Sequence, residues 1–445
     1  MKRAQVMSHA QRAQRLGSFL LEIGLLYTLI FFILHQPGYP NIATYLAAAL
    51  IPILAFYAHR LEGAFRIPFF VWAIGLGSIF REGLMPVLSS PSTLTWITTF
   101  LGILIIFGGG LDLSFAHVRR LIFPILSISI IGALVTAFLF SASLSGIATL
   151  LHLPLSIGTI GLLGAMLCST DPASILPTFQ MLKLKNPDTK TIAIAESAAN
   201  DVLATIMTVV FAGFVLNNTN APASLGALYA NLLSVHVLLD FLKEIIIGGL
   251  IGYASFSLLH IWKTQGHVSR ASFPFLIGIA VASFSLSTLW GGSGYLATFV
   301  AGLLFELGTE FRAVEEFFIN LVDGFIKPAV FVLLGGLILP SFLGIAGLGI
   351  IMSIIFMFLV RPIAVLTSLG WFVGHQNFGI RDLLFLDAVR ETGVIPAVLL
   401  LAYIPSLPDG EMAFSIGVWV ILSTLIVLPL LTSWWAKKLQ LVRAT

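Results

Sequence analysis

Charge is scarce in this sequence: Asp, Glu, Lys and Arg make up 10% of its 445 residues, against 58% hydrophobic. A soluble domain usually carries about 25% charged residues, and this chain has too few to solvate a globule of its size. Cysteine is nearly absent as well, so the one present, Cys168, permits no internal disulfide. No alternating ten-residue pattern of the kind a membrane β-barrel needs is visible, and unbroken runs such as Ile122 to Phe140 exclude it. No cleavable leader is expected: residues 1–15 are basic and polar, and the apolar run that follows continues without a small-residue cleavage site. That run reads as a retained helix. The net charge of +3 does not argue for nucleic acid, because the basic residues follow membrane topology.

What remains is a succession of apolar stretches of about twenty residues, each long enough to cross roughly 30 Å of hydrocarbon as a helix. The expected fold class is an all-α polytopic membrane protein. Helices are placed at 18–35, 40–58, 67–90, 93–115, 120–141, 156–180, 191–216, 233–262, 271–289, 293–308, 320–339, 343–370, 381–403 and 412–434, fourteen in all. With residues 1–17 on the inner side, Arg119, Arg120, Lys183, Lys185, Lys190, Arg381, Lys437 and their like all fall in inner segments, and the outer loops collect none. Both termini are therefore expected in the cytoplasm, with the chain in the inner membrane. Residues 435–445 are expected to form a short cytoplasmic tail, too small for a regulatory domain. The Asn- and Ala-rich stretch from Asn217 to Ala230 reads as the longest outer loop, dividing the transmembrane region into halves at about 18–216 and 233–434. Seven helices on each side make counterparts run in opposite directions, which is the arithmetic of an inverted repeat.

Ionisable residues at mid-depth cost at least about 2.5–3.5 kcal/mol each, so a cluster there is a functional candidate. Asp171 lies nine residues before the inner end of the sixth helix, and Asp201 ten residues into the seventh. Both sit roughly 14 Å above the inner face at 1.5 Å per residue. Arg361, in the twelfth helix, and Glu391, in the thirteenth, share that depth. Pro172 breaks the sixth helix beside Asp171, and Gly393 with Pro396 interrupts the thirteenth at the matching position of the other half. Paired broken helices of this kind mark a transporter's substrate site.

Within Glu196-Ser197-Ala198-Ala199-Asn200-Asp201, Ser197 shares one helix face with Asp201, and Glu196 another with Asn200. A hard cation such as Na+ or K+ takes oxygen ligands: the Asp171 and Asp201 carboxylates, the Ser197 hydroxyl and carbonyls freed at the break. A proton competes for the same carboxylates, and that competition is antiport. No cofactor is called for. Two intramembrane aspartates also raise an aspartyl protease as an alternative, but Cys168-Ser169-Thr170-Asp171 lacks the Gly-x-Gly-Asp motif and Arg361 would spoil proton sharing. A passive channel is disfavoured because there is no ring of repeated carbonyl sites.

Thr170-Asp171-Pro172, Glu196-Ser197 with Asn200-Asp201, the run Gly294 to Leu303 and Arg361-Pro362 together resemble the monovalent cation:proton antiporters, in particular bacterial Na+/H+ exchangers of the electroneutral Asn-Asp branch. The resemblance runs from about residue 40 to 434. It implies a homodimer working by elevator-like alternating access in pH homeostasis. It also implies that Asp201 is the main ion carboxylate, with Asp171, the Thr170 carbonyl and Ser197 as companions, and that Asn200, Glu196 and Arg361 support them, Glu196 paired with Arg361. Two departures stand out. Where many members carry an acid after the Phe of the fourth helix, this chain reads Phe107-Gly108-Gly109, and Glu391 is the expected replacement by depth. The N-terminal helix exceeds the commoner thirteen-helix plan, and its Glu22 has no evident partner. Lys327 is expected to snorkel to the inner face, and Arg81 with Glu82, like Lys243 with Glu244, to form interfacial pairs. The nine histidines lie mainly in loops or at helix ends and support no sensing role.

Overall fold

The computed structural model describes the whole chain except residues 1–20, 23, 26, 29–39, 66, 171–183, 217–223, 233, 265–272, 306–311, 340, 375–377 and 442–445. The described residues are almost entirely helical, with an isolated bridge residue at Leu184. Seven helices among them are long and apolar enough to cross a membrane, from Ile42–Phe65 to Gly410–Lys438, or eight if a bent pair counts as one span. That pair, Phe69–Ile79 and Arg81–Leu88, was expected as one straight helix and instead turns through 86° at Phe80. Shorter apolar helices, Ile157–Leu167, Phe273–Leu289, Gly294–Leu304 and Val394–Tyr403, include the halves of broken spans.

Local chemistry explains many helix starts. Ser90, Ser156 and Ser293 each accept from a backbone N–H three residues on, at 3.4, 3.1 and 3.2 Å, so one orphan donor of each first turn is satisfied. Inside the bundle, small residues set how closely helices approach, as membrane packing requires. Gly110 and Gly302 face each other across Pro91–Leu111 and Gly294–Leu304: a Cβ on Gly110 would lie 2.6 Å from the Phe299 carbonyl oxygen, and one on Gly302 2.5 Å from that of Phe107. Wide π-turns at Val322–Ile326 and Phe356–Val360 directly precede Lys327-Pro328 and Arg361-Pro362. Each proline lacks the N–H that would bond the residue four before it, Gly324 or Phe358, and the wide turn absorbs the misfit.

Several expectations are corrected at the periphery. The stretch read as a long outer loop overlaps the helix Leu225–Leu232. The last helix runs on to Lys438, where Lys437 and Lys438 complement the negative end of its dipole. Beyond it, the Leu441 carbonyl accepts from the Lys185 N–H at 2.7 Å, docking the tail onto the segment ahead of the Pro187–Leu216 helix. Glu22 does have partners: Arg60 Nη1 and Tyr57 Oη each donate to its carboxylate at 2.8 Å, tying the N-terminal helical residues to Pro40–Phe65. Arg81 donates to the Gly336 carbonyl at 3.2 Å, capping the end of Lys327–Gly336.

Candidate functional site

Two stretches of non-helical backbone are buried among the described residues, one at Ser169-Thr170 and one at Arg390 to Thr392. The Ile157–Leu167 helix stops at Cys168, leaving Ser169 and Thr170 in non-helical backbone. In the other half, Ile380–Ala388 and Val394–Tyr403 are separated by an extended segment holding Arg390, Glu391 and Thr392. Gly393 caps the second of these helices and Pro396 sits in its first turn, where a missing N–H costs nothing. Asp171 and Pro172 lie outside the described residues.

A helix that stops in the interior leaves carbonyls needing donors. Here Arg361 supplies them: Nη2 donates to the Leu167 and Ser169 carbonyls at 3.4 and 3.1 Å, and Nη1 to that of Cys168 at 3.4 Å. A cation at the C-terminal end of a helix is also favoured by the dipole. The same Nη2 donates to the Thr392 hydroxyl at 2.9 Å, so one guanidinium binds both breaks. The Phe356 ring, 4.5 Å from its central carbon, covers it. These carbonyls were expected to await the transported cation; the arginine takes them instead.

The Pro187–Leu216 helix brings its polar face against Ser169 and Thr170. The Ser197 hydroxyl donates to the Thr170 carbonyl at 2.6 Å, and the Ser169 hydroxyl donates to Asp201 Oδ1. Asn200 accepts from the Thr170 N–H at 3.2 Å and donates to the Thr170 hydroxyl at 2.9 Å and to Glu196 Oε1 at 2.6 Å. Thr170, in turn, donates to the Glu196 carboxylate at 3.3 Å. The ion partner of Glu196 is Arg390, at 2.8 Å, and not Arg361 as expected. The reason is geometric. Arg361 is committed to the end of the broken helix, whereas the extended segment lets Arg390 reach Glu196. Both members of that pair are buried, at 1% and 3% side-chain exposure.

Ser197 and Asp201 line a cavity of about 110 Å³ together with Gly108, Gly109, Asp112, Asp323 and Lys327. Asp112 lies four residues after Gly108, so it faces the same cavity from one turn further along the helix. Glu391, by contrast, is fully buried in the extended segment and is not among the lining residues.

The expected residues Thr170, Glu196, Ser197, Asn200 and Asp201 are thus brought together, Arg361 and Glu391 flank them, and five contributors were missed: Ser169, Arg390, Asp112, Asp323 and the cavity position of Lys327. Ser169 precedes Thr170 and could have been flagged as a hydroxyl beside a break. Arg390 stands at the depth that drew attention to Glu391. Asp112 needed only the four-residue step from Gly108. The cavity position of Lys327 had no signal in the sequence.

A family model described as "Sodium/hydrogen exchanger, transmembrane" matches residues 45–438. Among curated proteins, the K(+)/H(+) antiporter NhaP of Alkalimonas amylolytica is 28% identical over 339 residues, covering 73% of this chain and 54% of that protein. The chain therefore spans about half the length of that relative. The Probable Na(+)/H(+) antiporter 2 of Methanocaldococcus jannaschii is 27% identical over 390 residues, covering 78% of this chain and 84% of that protein. Among solved structures, the sodium proton antiporter MjNhaP1 of Methanocaldococcus jannaschii at pH 8 superposes with a TM-score of 0.71 at 20% identity, over 90% of this chain and 98% of that one. At that identity the likeness establishes the fold.

Proposed function

The chain belongs to the sodium/hydrogen exchanger family, and from that premise we propose that it is a secondary antiporter exchanging Na+ for H+ by alternating access. One observation carries the reading: Asp201 and Ser197 line a cavity and simultaneously bond the non-helical Ser169-Thr170 segment, so a carboxylate, hydroxyls and a broken helix converge at one place. A monovalent cation and a proton would compete for Asp201, with Asp171 as its proposed partner carboxylate and Ser197 and Thr170 supplying further oxygens. Glu196, Asn200 and Arg361 hold that arrangement, and Arg390 joins them. K+ is the second reading, favoured by the relative named as a K(+)/H(+) antiporter. The protein is a membrane protein; we place it in the inner membrane with both termini cytoplasmic, as a homodimer in the bilayer.

Proton movement in proteoliposomes, followed by dequenching of a pH dye on addition of Li+, Na+ or K+, tests the assignment. Na+ is expected to drive exchange; activity with K+ and none with Na+ would transfer the assignment to K+, and no response to any of the three would reject antiport.

Exchange is expected to be one for one. In the resembling family an Asn before the key Asp, here Asn200 before Asp201, goes with one-for-one exchange, and Coulombic repulsion between the two carboxylates is the proposed cause. Transport should neither generate nor respond to a membrane potential. A rate that changes steeply under a valinomycin-clamped potential would refute electroneutrality.

We also retain Glu391 as the candidate for the carboxylate that Gly108 lacks. On that reading Glu391→Gln raises the half-saturating cation concentration severalfold or displaces its pH profile. An unchanged affinity across pH would instead assign Glu391 to balancing the buried charges of Arg361 and Arg390.

A further inference from the structure

Lys327, expected to snorkel to the inner face, has a carboxylate partner one turn back on its own helix. Its ammonium lies 2.8 Å from Asp323 Oδ1, and its side chain, 14% exposed, lines the cavity that contains Asp201. Two features hold the pair there. Pro328 forces the wide turn Val322–Ile326, which carries Asp323. The Asp323 carbonyl would find no donor at Pro328 in the π pattern, and it accepts from His59 Nε2 on the Pro40–Phe65 helix at 3.2 Å. The side chains are thus positioned by backbone constraints from two elements.

Resting on the antiport reading, we propose that Lys327 is a specificity-determining residue of the ion path: a tethered cation, held by Asp323, that sets how strongly the cavity attracts the transported one. The Lys327 side chain is 14% exposed and that of Asp323 50%, so charges in this cavity are partly screened and act on one another over a few ångströms. A lining of one sign concentrates counter-ions. Besides Asp201 the lining carries two carboxylates, Asp112 and Asp323, and one ammonium, a balance of −1 when all are charged. Removing the ammonium makes that balance −2; removing the Asp323 charge makes it zero. The two substitutions therefore act in opposite directions, which a merely structural ion pair would not do.

The test uses the purified full chain in lipid nanodiscs, titrated with NaCl and KCl by calorimetry, with the same variants assayed in proteoliposomes for half-saturation against maximal rate. Lys327→Gln is expected to tighten cation binding about three- to tenfold and Asp323→Asn to weaken it by a similar factor, as a unit charge several ångströms away would at intermediate dielectric. The double variant should return close to wild type, and Lys327→Arg, which keeps the charge, should resemble wild type. Shifts of the same sign in the two single variants, or no shift in either, would overturn the proposal. Asp201→Asn run alongside separates the two levels: if it binds cation like wild type, the antiport site is misassigned, and if it loses binding while Lys327→Gln and Asp323→Asn fail to diverge, the role of Lys327 alone is rejected.

Discussion

Asp201→Asn is expected to abolish exchange while leaving the protein folded. The substitution keeps side-chain volume, and the amide oxygen can still accept from the Ser169 hydroxyl. What it removes is the negative charge, and with it both the attraction for a cation and the site the proton occupies in alternation. A contact between unit charges is worth several kcal/mol at an effective dielectric of about 20, so a loss of at least about a hundredfold in rate is expected. Purified variant and wild type are compared in proteoliposomes under a cation gradient, with thermal melting measured on the same preparations. Exchange near the wild-type rate would remove Asp201 from the mechanism. A collapsed melting temperature would show instead that its charge is structural.

The second large effect concerns stability. Arg390→Met is expected to destabilise the protein by roughly 3–5 kcal/mol, because removing one partner of a buried ion pair strands the other charge. Glu196 is 2% exposed and receives Arg390 at 2.8 Å together with Asn200 and Thr170, so the stranded carboxylate would disturb the two residues that position the broken helix. Replacing both partners, as Glu196→Gln with Arg390→Met, removes the uncompensated charge and should recover much of the loss. Detergent-purified variants are compared by melting temperature. A single Arg390→Met protein that melts with wild type, or a double variant whose loss equals the sum of the singles, would show that the pair contributes little. Exchange should stay impaired in the double variant, since the Glu196 charge that engages Thr170 and Asn200 is gone.

Much of the architecture follows from one-dimensional properties. Apolar runs of membrane-spanning length, scarce charge and prolines at defined positions are enough to place helices, and rise per residue is enough to place residues by depth. That arithmetic put Arg361 and Glu391 at one level, and Arg361 indeed bonds Thr392, the neighbour of Glu391. It also located the interruption between Ala388 and Val394. The 86° turn at Phe80 was missed although Arg81, Glu82 and Gly83 directly follow it and interrupt the apolar run, because that charged pair reads as interfacial and not as a bend within the span.

Depth says nothing about azimuth. Which charged groups at one level meet depends on how each helix is rotated about its axis, and helices that are apolar on every side carry too weak a periodicity to show it. Glu196 therefore met Arg390 across 194 residues of sequence, while Arg361 turned to the carbonyls of Leu167, Cys168 and Ser169. The cavity likewise came from three-dimensional packing: Asp112, Asp323 and Lys327 reach it from two helices whose pairing no motif records. By itself the sequence determined a membrane-embedded helical chain with two breaks and ionisable groups at their depth, since length, hydropathy and proline act locally along the backbone. Only the tertiary structure decided which arginine holds which partner and which carboxylates share the cavity, because those choices rest on helix rotation and close packing between segments far apart in the chain.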